Sequence, residues 1–384
     1  MLSSANCRVR EAALIAIVTA LSGAGAGCAC AKLDKLSFPN PSPVPYLAGS
    51  WQPNAIFPKK LLVYAAQTSS ARSERLRLVL SAFPSSVSDP AQLWIYETSD
   101  SGQSWRRTLF PCAVFSFLST STRDFAYCSS AGVILSTRNS DVGWLPISPQ
   151  VPRMARAFNA PTMAAAASPA IAFAVSVPDS NRSGAFSTSM HVSPDGEGHW
   201  SLYSDVLPAP VFRGLGTPSV GFAFLGSRSI VTSRDGVAWR SSTPFSTDHY
   251  YAGGSISQTG MIQLAGTGRN GRSFYSELDM AGHILAETEI AGCQPVSAVF
   301  LPDTTSIVGC STATGWSIVT STDRGATWLP LLNRPGERPY TVSPQLVFAT
   351  KQIGWAFVTL NSQEFKVWKT LDGKNWAPFS LPQE

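Results

Sequence analysis

One short pattern, returning along most of the chain, limits what this polypeptide can fold into more than any other feature. Its clearest copies are Thr98-Ser99-Asp100-Ser101-Gly102-Gln103-Ser104-Trp105 and Ser321-Thr322-Asp323-Arg324-Gly325-Ala326-Thr327-Trp328. Ser233 to Trp239 and Thr370 to Trp376 are one residue shorter, with Asp235 and Asp372 at the acidic position. Ser193 to Trp200, built on Asp195, shifts its glycine. Two copies are degenerate: Thr137 to Trp144 carries Asn139 in place of Asp, and Glu277 to Ile284, built on Asp279, closes on Ile284 in place of Trp. The closing residues are spaced by about 45 residues on average, the length of one four-stranded blade in a radial repeat. Seven such steps in phase predict an all-β chain: a single seven-bladed β-propeller of four-stranded antiparallel blades over residues 54–384.

Each residue type in the pattern suits a tight corner between two strands. The Asp side chain accepts backbone N–H groups within its own turn, and Gly tolerates the positive φ needed there. The preceding Ser or Thr adds a local hydrogen bond, and the Trp ring is large enough to be buried against neighbouring strands. The corner residues are therefore read as structural, not as ligand contacts. Strand-forming runs precede the corners, among them Leu93-Trp94-Ile95-Tyr96 and Phe365-Lys366-Val367-Trp368. Charged residues make up only 14% of the chain, which fits short strands and tight turns better than charged-faced helices. Net charge is +5, yet no Lys/Arg run is dense enough for a nucleic-acid stripe, and nucleic acid is excluded as a partner.

The N-terminus reads as a targeting signal followed by a tether. Arg8 and Arg10 precede an apolar stretch from Ala12 to Leu21, which is too short for a permanent membrane span, and small residues follow. Gly25-Ala26-Gly27-Cys28 is similar to a bacterial lipobox, which implies lipidation at Cys28, although Gly25 stands where that motif has Leu. Ala29-Cys30-Ala31 offers an ordinary signal-peptidase site instead. The expected organisation is a signal peptide at 1–27, a Pro-rich tether at 28–53 and the propeller after it. The product is exported, either secreted or held at the cell envelope by the lipid, its one membrane contact. Gly49-Ser50-Trp51 echoes the end of a corner, so Trp51 to Phe57 is expected to add an outer strand to the final blade.

Four cysteines lie in the propeller: Cys112, Cys128, Cys293 and Cys310. Cys128 and Cys310 occupy nearly the same place in their repeats, before Trp144 and Trp328. Each pair then falls on adjacent inner strands, and an oxidising compartment favours the bonds Cys112–Cys128 and Cys293–Cys310. Neither a Cys-x-x-Cys pair nor a His cluster in the propeller points to a metal, and no cofactor is expected.

The corners match the Asp box, or bacterial neuraminidase repeat, and the chain resembles the sialidase-like propeller superfamily over about 320 residues. That resemblance implies the fold and leaves the activity open, since its members include hydrolases, receptors and assembly factors. A sialidase would carry an Arg-Ile-Pro motif near its N-terminus; none occurs, and Arg334-Pro335 is a poor substitute at the wrong end of the chain. Glycoside hydrolysis needs two facing carboxylates. Asp124, Asp303 and Glu364 fall in inter-strand loops and are the candidates, though turns favour Asp for structural reasons. His191, His199, His249 and His283 are scattered, and no G-x-S-x-G occurs. Loops at Gln67 to Glu74, Pro178 to Ser183 and Asn333 to Pro339, with Arg334, Arg338 and Tyr340, are candidate contact surfaces. The reading favoured is a non-enzymatic binding or assembly module for a protein or glycan; the alternative is a glycoside hydrolase of sialidase or xyloglucanase type.

Overall fold

The computed structural model describes residues 51–57, 61–69, 72–82, 93–110, 114–119, 123–128, 132–137, 143–148, 162–165, 170–179, 181–183, 185–196, 199–207, 210–217, 221–340, 343–361 and 364–382. Among them, strands pair into seven antiparallel sheets of four. Blade 1 holds β1 (Leu61–Ser69), β2 (Arg72–Ala82), β3 (Leu93–Thr98) and β4 (Arg106–Leu109). Blade 2 holds β5 (Val114–Ser119), β6 (Asp124–Cys128), β7 (Val133–Thr137) and the very short β8 (Leu145–Pro146). Blade 3 comprises β9 (Thr162–Ala165), β10 (Ile171–Pro178), β11 (Phe186–Ser193) and β12 (Ser201–Leu207). In blade 4 these are β13 (Val211–Thr217), β14 (Gly221–Gly226), β15 (Ile230–Ser233) and β16 (Trp239–Ser242). Blade 5 is β17 (His249–Ile256), β18 (Ile262–Gly268), β19 (Ser273–Leu278) and β20 (Ile284–Glu289). Blade 6 follows with β21 (Gln294–Phe300), β22 (Ser306–Ser311), β23 (Gly315–Ser321) and β24 (Leu329–Pro335). Blade 7 ends the chain with β25 (Gln345–Phe348), β26 (Gly354–Thr359), β27 (Phe365–Thr370) and β28 (Trp376–Pro378).

The first strand of every blade touches the first strand of the next, and β25 touches β1, so the sheets close into a seven-bladed β-propeller. Second and third strands are sandwiched between neighbouring blades, and several read as continuous buried runs: β14, β19 and β26 are buried at every position. Fourth strands form the rim, and β20 is mostly exposed. Seven hydrophobic clusters sit one at each seam between adjacent blades.

Every expected corner falls between the third and fourth strands of its blade. In the first, the Thr98 hydroxyl donates to Asp100 Oδ1 (2.6 Å) and accepts the Gly102 N–H (2.9 Å). Asp100 Oδ1 accepts the Ser104 N–H (2.9 Å), and Trp105 Nε1 donates to the Gly102 carbonyl (3.0 Å). Asp235, Asp279, Asp323 and Asp372 accept backbone N–H groups of their own turns in the same way. The corner glycines Gly102, Gly236, Gly282 and Gly325 pack onto the preceding blade: a Cβ on Gly325, whose φ is +82°, would lie 2.5 Å from the Tyr275 ring of blade 5. Six closing tryptophans enter a seam: Trp105, Trp144 and Trp200 are buried, and Trp239, Trp328 and Trp376 pack against their seam clusters. Ile284 does not; it is 41% exposed. Asn139 lies outside the described residues.

The ring closes differently from the expectation for Trp51 to Phe57. Gln52 bridges antiparallel to Arg107 of β4, the rim strand of blade 1, and the Arg106 guanidinium lies 4.2 Å over the Trp51 ring. The segment then turns inward, where Phe57 stacks on Tyr96 (4.2 Å) and its N–H donates to the Pro382 carbonyl (2.7 Å). Burial of Phe57 in the seam between blades 7 and 1 takes precedence over pairing with β28, which offers only three residues. Cys293 and Cys310 are disulfide-bonded across β21 and β22, with Cα atoms 5.1 Å apart. Cys128, fully buried in blade 2, is likewise disulfide-bonded. Its expected partner Cys112 lies outside the described residues, as do Cys28 and residues 1–50.

Candidate functional site at the seam of blades 4 and 5

Antiparallel pairing gives the ring two distinct faces. One, the corner face, carries the Asp-containing corners and the turns between first and second strands. The other, the link face, carries the turns between second and third strands and the blade-to-blade links.

The three candidate acids do not converge. Asp124 opens β6 on the corner face, buried, and pairs with Arg77, which also holds Glu97. Asp303 sits in the β21–β22 turn on the same face, 3.7 Å from Lys351 Nζ. Glu364 lies on the opposite face, 3.6 Å from Lys366 Nζ. Glu277 is fully buried and accepts the Tyr275 hydroxyl (2.7 Å), while the Arg324 guanidinium reaches it from the next blade. These carboxylates are ties within and between blades. Arg334 is likewise engaged, 4.3 Å over the Trp368 ring and 2.9 Å from Glu337. Of the histidines, His199 and His283 pair with the Asp of their own corners. His191 stacks on Phe173 at 4.5 Å, and burial pushes its pKa down to about 4, so it stays neutral.

His249 differs from these three. It opens β17 and is 8% exposed, its ring 4.3 Å from Phe245 and 4.6 Å from Phe274. Its Nδ1 donates to the Thr247 carbonyl (2.8 Å), which fixes the tautomer and leaves Nε2 as an acceptor without a partner among the described residues. The ring lines a cavity of about 350 Å³ that runs along the seam of blades 4 and 5, with Phe245, Asn270, Arg272, Ile284, Glu287 and Glu289 around it. A second cavity, of about 470 Å³, adjoins it across Gly268 and is lined by Tyr250, Arg269, Gln294 and Pro295.

The first cavity has a local reason. Blade 5 is the one whose corner closes on Ile, so its seam with blade 4 receives no indole from that corner. The corner end of the same seam holds a further cavity of about 570 Å³ beside Asp235 and Asp279. Between the two link-face cavities stands the hairpin turn Gly268 to Ser273, whose Gly271 has φ +80° with nothing near its missing Cβ. Asp248, in the link between blades 4 and 5, holds this turn through Arg269 (3.6 Å) and the blade 4 turn through Arg228 (3.2 Å). Tyr250, beside it, is 62% exposed. The sequence reading missed the turn; Arg-Asn-Gly-Arg between two strands carries the signal, a hairpin dipeptide flanked by cations.

No family model and no curated protein matches the chain. Solved structures do. The chain is similar to the β-propeller domain of the Trilobed protease from Pyrococcus furiosus, described as having an open velcro topology, at 8% identity over 84% of this chain and 97% of that one (TM-score 0.56). It is similar to a prolyl endopeptidase at 9% identity, covering 85% of this chain and 51% of that one (TM-score 0.55). A GH74 xyloglucanase from Xanthomonas campestris gives 10% identity, 83% and 60% coverage and a TM-score of 0.50. The chain thus spans 51% and 60% of the two enzymes. At these identities the likeness shows the fold alone.

Proposed function

We propose that the chain is an exported, non-enzymatic binding or assembly module whose docking surface is the link face around blades 4 to 6. The observation that carries this reading is the pair of adjoining cavities beside the Gly268 to Ser273 turn, with Tyr250 and Arg269 exposed at one and the unpartnered His249 Nε2 in the other. Aromatic and Arg side chains of this kind, on a rigid sheet framework, suit recognition of a protein or glycan. In the same reading the corners are Asp boxes and the chain belongs among sialidase-like propellers. Residues 1–27 direct export, Cys28 takes the lipid, 28–53 form the tether, and Cys112 pairs with Cys128. The Cys293–Cys310 bond supports an oxidising compartment. The hydrolase alternative gains nothing from the carboxylates, which are each engaged separately.

The test is a screen of the mature protein on glycan and peptide arrays, run beside hydrolysis assays on sialosides and β-glucans. The expected result is binding that Tyr250→Ala with Arg269→Ala weakens by roughly tenfold or more, without turnover. Hydrolysis of either substrate class, or binding indifferent to those two substitutions, rejects the reading.

A further inference from the structure

We infer that the cavity over His249 is a receptor for a guanidinium group, the arginine side chain of a partner protein. This deepens the docking-face reading and rests on it. The cavity is rich in acceptors. Glu287 receives only the Ser276 hydroxyl (2.9 Å), and Glu289 has no partner among the described residues. No cation pairs with either: Arg272, on the same rim, forms no ion pair within the described residues, so the lining keeps one uncompensated negative charge. His249 supplies the independent sign of a ligand. A side chain more than nine-tenths buried, with its Nδ1 committed to the Thr247 carbonyl and its Nε2 without a protein partner among the described residues, presents an acceptor to whatever enters the cavity.

One group satisfies these features together. A guanidinium is planar, always charged and carries five donors in a fork, enough to reach two carboxylates and an imidazole acceptor at once. Phe245 and Phe274, which hold the His249 ring, supply the aromatic wall against which such a plane stacks. The space is one that a closing indole of the repeat leaves unfilled in this seam alone, because Ile284 lines the cavity where the other blades place Trp.

The experiment is a titration of the full mature chain with Nα-acetyl-arginine amide, following the ring resonances of His249 by NMR. Nα-acetyl-citrulline amide serves as the uncharged isostere, and glucosamine as an amine from a glycan source. We expect a saturable His249 shift with the arginine amide, weakened roughly tenfold or more for citrulline and in Glu287→Gln with Glu289→Gln. His249→Phe keeps the ring stacking while removing the acceptor; thermal melting should fall only slightly, for the lost bond to Thr247, and affinity for the arginine amide, followed in this variant by calorimetry, should drop several-fold. Equal shifts with citrulline, no saturation with arginine amide, or a glucosamine response that exceeds it overturns the inference. Those outcomes leave the docking-face reading standing if array binding still depends on Tyr250 and Arg269; loss of that dependence brings down both.

Discussion

The seam between blades 4 and 5 and the seam between blades 1 and 2 are built from the same parts and finished differently. At the second, Trp144 is 1% exposed and fills the space against Phe110 (4.9 Å), and the charges nearby are consumed internally: Arg77, itself 4% exposed, holds Glu97 and Asp124. At the first, Ile284 stays 41% exposed, cavities remain at both ends, and the side chains of Glu289 and Arg272 and the Nε2 of His249 lack partners among the described residues. A propeller seam is thus a place where the chain either completes its own packing or leaves chemistry for something else. On the function proposed above, stability belongs to the filled seams and recognition to the unfilled one.

The largest test of that division is Arg77→Ala. It takes the buried guanidinium away from Asp124 and leaves Glu97 to its pairing with Arg106; breaking a buried pair costs about 3–5 kcal/mol, so the urea midpoint should fall steeply. Arg272→Ala, at the unfilled seam, should stay within about 0.5 kcal/mol, as for surface sites without partners. Equal losses would erase the distinction. Glycine substitutions sharpen it at a smaller scale. Gly325→Ala and Gly271→Ala both force a side chain to positive φ, worth about 1–2 kcal/mol. The Gly325 variant adds a clash with Tyr275 of the neighbouring blade, for about 1–3 kcal/mol more. Chemical denaturation should therefore rank Gly325→Ala clearly below Gly271→Ala.

Acid acts on the corners through their carboxylates. Burial pushes the Asp100 carboxyl up, but the Ser104 hydroxyl and N–H, with Thr98, outweigh it and hold the pKa down at about 2. At Asp323 the Thr327 hydroxyl and N–H, then Ser321, lower it to about 2 as well. A folded-state pKa below the unfolded value of about 3.9 gives stability that is complete above that value and lost as pH falls toward 2. Carboxyl NMR titration should place both midpoints near 2, and melting temperature should hold from pH 7 to 5 before declining. Midpoints near 4 would mean the corners are open in solution.

How much of this was legible beforehand follows from the physics of each feature. A corner is encoded locally: Asp, Gly and Trp at fixed spacing act within eight residues, so the period of about 45 residues reported the blades and their phase. Cys293 and Cys310 were readable for the same reason, since equal phase put them on neighbouring strands. Ring closure was not, because Phe57 chooses between a strand edge and a seam by long-range burial that no spacing encodes. The candidate site was half visible. Ile284 stood out as a departure from the repeat, yet a missing side chain gives no sign of what borders the gap. Phe245, His249 and Glu289 come from a link, an inner strand and a rim strand, and only the fold brings them to one cavity.

The smallest expected effect on stability is also the most direct probe of the comparison. Ile284→Trp restores the closing residue of the other six corners to the one seam that lacks it. Filling a cavity at a compatible position typically gains about 0.5–2 kcal/mol, and partial exposure at residue 284 puts the gain near the lower end. Thermal melting should rise slightly, and the His249 shift on titration with arginine amide should shrink, because the indole would occupy the space the ligand needs. A stabilised variant that still binds would show that the gap left by Ile284 and the receptor over His249 are separate features. A variant that melts lower would show that blade 5 packs to suit Ile, and that the seam is finished as it stands.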